Sequence, residues 1–217
     1  TIDTIDLTLV KKTKEKLLKL LKKIKLIPYS KNHNFFTLTS NDYFIDAVRK
    51  HLSEKEIDLV VMGTKGASGL KEVIIGSNTG DLITKVKCPV LVVPENATFK
   101  EPKEIAFPTD FNLFYQTKIL SNISEIIKMY DSFLRIVHVT KKDENLTLFQ
   151  EENKEYLHDF FVDEKHSFHK ITNKNIDAGV QCFVESRAID MIVMIAKNLT
   201  LFQQILFKPT VEEISYH

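Results

Sequence analysis

Asp58-Leu59-Val60-Val61-Met62 and Asp190-Met191-Ile192-Val193-Met194 are two versions of one segment, set 132 residues apart. The same offset, without a gap, pairs Phe36 with Phe168, Val48 with Val180, Leu52 with Val184, Ile57 with Ile189, Lys65 with Lys197 and Leu82 with Ile214. Apolar positions meet apolar positions while many surface residues differ. That is the pattern of one fold written twice, each copy free to change its surface.

Each copy alternates strand and helix. In the first, Leu17, Leu20, Leu21 and Ile24 share a helix face, and Phe35 to Thr39 reads as a strand. Asn41 or Asp42 is placed to cap a helix carrying Ala47, Val48 and Leu52. Leu59 to Met62 is a continuous apolar strand, Ser77 to Val86 a helix, and Val90 to Val93 a buried strand stopped by Pro94. The polar connection Glu95 to Lys103 divides the chain into units 1–98 and 104–217. The second unit reads as strand Ile105 to Phe107, helix Leu113 to Tyr130, strand Phe133 to Val139, helix Thr147 to Phe161, strand Ser167 to Ile171, helix Ile176 to Arg187 and strand Met191 to Ile195. Apolar strands alternating with amphipathic helices imply an α/β fold with a parallel sheet covered on both faces, here two tandem, doubly wound, Rossmann-like units. The offset also implies that each is incomplete. The first lacks its opening strand and helix and the second its last strand, so the sequence reads as a fragment of a longer protein.

Composition limits the classes of function. The 217 residues are 43% hydrophobic and 27% charged, with net charge +1. That balance suits a soluble domain and lacks the basic excess of a nucleic-acid surface, so no nucleic-acid partner is expected. No apolar run approaches the ~20 residues that span a bilayer, so no membrane role is expected either. Two cysteines, Cys88 and Cys182, lie in or beside apolar segments and read as reduced thiols, which places the protein in the cytoplasm.

The chemistry concentrates after the strand Leu59 to Met62. Gly63-Thr64-Lys65-Gly66-Ala67-Ser68-Gly69 follows it, and Gly76-Ser77-Asn78 opens the next helix. Glycines admit positive φ and close approach of a ligand to the backbone. A helix N-terminus offers free N–H groups and the positive end of its dipole to an anion. A loop beyond the C-terminal end of a parallel strand is where open α/β sheets bind ligands. Gly63, Lys65, Gly66, Gly69, Gly76, Ser77 and Asn78 are therefore the candidate phosphate-binding residues, with Lys65 set against a solvated role because its counterpart Lys197 persists.

The spacing Gly63-x2-Gly66-x9-Gly76-Ser77 resembles the nucleotide motif of the universal stress protein family. Cys88-Pro89-Val90-Leu91-Val92-Val93-Pro94 resembles that family's last strand, and Phe107-Pro108-Thr109-Asp110-Phe111 its first strand and turn. The resemblance implies a sheet of order 3-2-1-4-5, and ATP or AMP as ligand with Mg as an accompanying ion. It also implies dimers or tandem pseudo-dimers joined through last strands. Here that means a homodimer through Val90, Leu91, Val92 and Val93, a second chain supplying the neighbour that the second unit lacks. The second unit departs from the motif. Ile195, Asn198, Leu201, Lys208 and Pro209 stand where Gly63, Gly66, Gly69, Gly76 and Ser77 do. Bulky side chains would fill the phosphate space, and Pro209 removes a backbone donor. Asp110 matches the family's adenine-side aspartate in this degenerate unit, or caps the helix that follows.

Other features read more plainly. The lysine-rich helix Lys11 to Lys25 suits the outer layer of an α/β domain better than a membrane contact. His166 and His169 would point to opposite faces of one strand, which makes them a poor metal pair, and His138 reads as packed. No catalytic set or placed general base stands out, so enzymatic activity is not expected. The functions weighed are a nucleotide-binding stress-response protein, a pairing module with a vestigial site, and a slow ATP hydrolase.

Overall fold

A computed structural model describes residues 2–27, 33–64, 77–142 and 144–195. The chain divides into two compact units, Thr1–Asp58 and Leu59–His217.

The first unit contains helices α1 (Ile2–Lys25) and α2 (Phe44–Lys55). In α1, Leu17, Leu21 and Ile24 are half-buried as their shared face requires, whereas Leu20, at the edge of that stripe, stays 53% exposed. The N-cap of α2 is Tyr43, with no side-chain cap. Asp42 instead turns on Ser40, its N–H donating to Ser40 Oγ at 3.2 Å. The expected strand Phe35 to Thr39 is not formed as a strand, and Phe36 is 84% exposed. Its counterpart under the 132-residue offset is held in a sheet by the strand Phe133–Thr140. That strand maps onto residues 1–8, of which 2–8 are helical, so among the described residues of this unit the ladder has no second rail.

The second unit opens with two parallel strands, β1 (Val60–Gly63) and β2 (Val90–Val93), joined through helix α3 (Ser77–Lys85). A four-stranded parallel sheet follows. Its elements are β3 (Glu104–Pro108), α4 (Thr117–Tyr130), β4 (Phe133–Thr140), α5 (Leu148–Phe160), β5 (His166–Thr172), α6 (Ile176–Ser186) and β6 (Met191–Ile192). The strand order is β5-β4-β3-β6, the first four places of the implied 3-2-1-4-5. Alternation along the strands builds a core on each side. On one face Ile105, Phe107, Leu134 and Ile136 pack with Leu120, Ile123 and Ile127 of α4, Leu157 of α5 and its C-cap Phe161. On the other, Ala106, Val137 and Val139 pack with Val180 and Phe183 of α6. Each of the large apolar side chains stabilises the fold by roughly 1.5–3 kcal/mol. This is the doubly wound arrangement the sequence implies.

Local chemistry explains the helix boundaries. Thr147 and Gln150 form a reciprocal capping box that starts α5. Helix α4 begins at Thr117, later than Leu113, because residues 109–116 form a hydrogen-bonded turn at the end of β3. Strand β6 ends at Ile192, and Val193 N–H still donates to the Ala106 carbonyl at 2.8 Å. The repeat is visible in helix endings. Glu56 and Ala188, 132 residues apart, both take φ of 49°. The N–H groups that follow bond back alike, Ile57 to Leu52 O at 3.3 Å and Ile189 to Val184 O at 3.0 Å. Cys88 and Cys182 are not joined in a disulfide. Among the described residues no helix is long and apolar enough to cross a membrane.

Candidate functional site

The ends of the glycine loop are brought together at the C-terminal edge of the β1–β2 pair. Gly63 is the last residue of β1, and Thr64 N–H donates to the Val93 carbonyl at 3.2 Å, carrying the ladder one residue further. Thr79, in the first turn of α3, is 1% exposed, and its Oγ1 donates to the Gly63 carbonyl at 3.0 Å. That bond clamps the start of the helix onto the end of the strand. Behind it, fully buried Leu82 anchors α3. The chain that leaves Thr64 must therefore return to Ser77 at the same place.

Ser77 and Asn78 are exposed at the helix N-terminus, and the first turn of α3 contains no acidic residue to neutralise its dipole. The arrangement presents N–H groups and partial positive charge, which favours an anion by about 0.3–1 kcal/mol per charge at an exposed position. A Cβ built on Gly63 would meet only the Val93 carbonyl, at 4.0 Å, and its φ is not left-handed. Among the described residues, neither backbone conformation nor crowding demands a glycine there. Lys65, Gly66, Gly69 and Gly76 lie outside the described residues, as does Lys197.

The second copy of the repeat, residues 104–217, differs at the matching places. Ile195, the counterpart of Gly63, packs against the core of the four-stranded sheet. Asn198, Leu201, Lys208 and Pro209 lie outside the described residues. The turn after β3 is closed by its own bonds. Thr109 Oγ1 lies 2.5 Å from the Tyr115 hydroxyl and accepts from Phe111 N–H at 3.1 Å. Burial pushes the Tyr115 phenol up to about 12, so it stays protonated and offers no base. Asp110 Oδ1 accepts from Asn112 N–H at 3.0 Å; it closes this turn and does not cap α4, whose N-cap is Gln116. Helix α5 ties the turn down, Gln150 donating to the Asp110 carbonyl and Asn153 to the Phe111 carbonyl, each at 2.8 Å. Phe111, 2% exposed at φ of 57°, stacks on His138, which is buried and bonded through Nδ1 to the Thr109 carbonyl at 2.9 Å. His138 is packed, as its apolar strand implies. The Gln150 and Asn153 contacts were not legible beforehand, since they join residues some 40 positions apart with no motif between them.

Residues 45–94 match the model of the universal stress protein family. Over 57 residues the chain is 37% identical to universal stress protein YxiE of Bacillus subtilis, covering 26% of this chain and 38% of that protein. Over 51 residues it is 43% identical to universal stress protein MJ0531 of Methanocaldococcus jannaschii, covering 24% and 26% respectively. The chain thus spans well under half the length of these relatives. In fold it resembles a universal stress protein from Archaeoglobus fulgidus, with TM-score 0.63 and 16% identity over 85% of this chain and 66% of that one. It also resembles a universal stress protein structure from Pseudomonas aeruginosa, with TM-score 0.54 and 14% identity over 90% and 71%.

Proposed function

We propose that this chain, whose residues 45–94 match the universal stress protein family, acts as such a protein: it binds an adenine nucleotide, ATP or AMP, at the loop between β1 and α3 and acts in the stress response through regulation or protein contact. The observation that carries the reading is the Thr79–Gly63 clamp. It holds the first turn of α3 against the end of β1, which supports a phosphate site at the exposed helix start, Ser77 and Asn78, beyond the strand's C-terminal end. Ser77 donates its hydroxyl to a phosphate, Asn78 lines the same helix start, and Lys65 reaches the phosphates or solvent. Mg, where present, rides with the phosphates: among the described residues no cluster of three His, Cys, Asp or Glu side chains stands ready to hold a metal. Native mass spectrometry of the purified protein tests the reading. The expected result is one retained nucleotide mass per chain; a bare chain that also takes up no added ATP or AMP contradicts it.

One observation favours an association role beside nucleotide binding. Among the described residues β2 pairs with β1 alone, and all four of its residues are only half-buried. An apolar strand with one edge open is a template for pairing. The second part of the proposal is a homodimer in which Val90, Leu91, Val92 and Val93 of two chains face each other.

A further inference from the structure

His158 and His166 meet where α5 hands the chain to β5. Strand β5 is the edge of the four-stranded sheet, and His158 is exposed in the last turn of α5. Nδ1 of His158 lies 2.9 Å from Nε2 of His166, with ring centroids 5.1 Å apart. The other nitrogen of His166, Nδ1, lies 2.9 Å from the Glu164 carbonyl. A carbonyl only accepts, so Nδ1 carries the proton and Nε2 presents its lone pair toward His158. Histidine ligands of metal ions are oriented in this way, by a carbonyl on the second ring nitrogen. Phe168 packs against both imidazoles, at 6.3 and 5.7 Å, and limits their rotation.

We propose that His158 and His166 form a binding site for a divalent transition cation of the copper(II) type, with the remaining coordination positions open to solvent or to an added ligand. The separation of the nitrogens supports the choice. With metal–nitrogen bonds of about 2.0–2.1 Å, nitrogens 2.9 Å apart subtend about 90° at the metal. That is the angle between neighbouring ligands in the tetragonal sites of copper(II) and nickel(II), whereas tetrahedral zinc needs a wider bite. Binding requires His158 in the tautomer with its proton on Nε2, which frees Nδ1; both rings stay neutral and no electron moves. His169 is not a third ligand. Three residues along the strand, it faces the opposite side against Phe183 at 5.0 Å. With no cluster of three His, Cys, Asp or Glu donors among the described residues, the ion keeps positions to spare.

Titration of the full chain with copper(II), followed by calorimetry and electron paramagnetic resonance, tests this. The expected result is one tight equivalent with two nitrogen donors, and weaker binding of nickel(II) and zinc(II). His158→Ala and His166→Ala should each lower copper(II) affinity at least tenfold, with unchanged circular dichroism, while His33→Ala leaves it unaltered. His158 is exposed, so its variant keeps the fold even if His166→Ala does not. Parent-like copper(II) binding by His158→Ala, or a parent that binds no more copper(II) than the double variant, overturns the proposal.

Discussion

Asp190 holds the start of β6 against β3 with a single carboxylate. Its Oδ2 accepts from the backbone N–H of Lys103 at 3.0 Å and of Glu104 at 3.1 Å, and its Oδ1 from Lys100 Nζ at 2.7 Å. The Lys100 ammonium bonded to it, helped by the two N–H groups, holds the carboxyl below its ordinary value of 3.8, against the opposing effect of burial. A carboxyl whose folded value is depressed contributes stability that is present above the unfolded value and lost as pH falls through the folded one. Asp190→Asn should therefore cost about 1–3 kcal/mol at neutral pH, and the cost should shrink below about pH 4. Urea unfolding at pH 7 and pH 3 checks both; an equal loss at the two pH values contradicts the assignment. At this scale the sequence disclosed types more than partners. The packed His138 and the opposed faces of His166 and His169 follow from strand alternation, which is local. The pairing of His158 with His166 does not, because it depends on how α5 turns into β5.

Helix α6 shows how closely an element can be fitted to its sheet. A Cβ on Gly179 would lie 2.7 Å from Val139 Cγ1 and 3.2 Å from Asn173 Cβ, so the glycine permits the close approach of α6 to β4. Alanine is the better helix former by roughly 1 kcal/mol, but overpacking costs about 1–3 kcal/mol. Gly179→Ala should be net destabilising by about 1 kcal/mol, seen as a lower urea midpoint with an unchanged slope; a stabilised variant means that α6 sits further out. The first copy has Ala47 at the matching place in α2. Elements with their own periodicity or caps, such as α5 and α6, were legible almost to the residue. The segment Phe35 to Thr39 was not, because a strand also needs a neighbour and residues 2–8, which are helical, supply none. The late start of α4 has a similar origin, in side-chain bonds within the turn after β3.

Across the whole chain, divergence between the two copies underlies the proposed placing of ligand and partner. The first copy keeps the glycine motif in its sequence and, among the described residues, an apolar strand paired on one edge; the second has Ile195, packed against the core, in the place of Gly63. The gapless offset lines up each replaced glycine with its counterpart in the sequence. The proposed association rests on β2. Val92→Lys would bury an unpaired charge in the proposed strand pair and should shift the protein toward monomer in sedimentation. A parent chain that stays monomeric at high concentration contradicts the pairing. Nucleotide binding is the central claim, and equilibrium titration with ATP tests it most directly when three proteins are compared: the parent, Gly66→Leu and Asn198→Leu. The parent and Asn198→Leu should each bind one nucleotide per chain with the same affinity, and Gly66→Leu none, because its side chain fills the phosphate space. ATP bound by Gly66→Leu as tightly as by the parent would contradict the account.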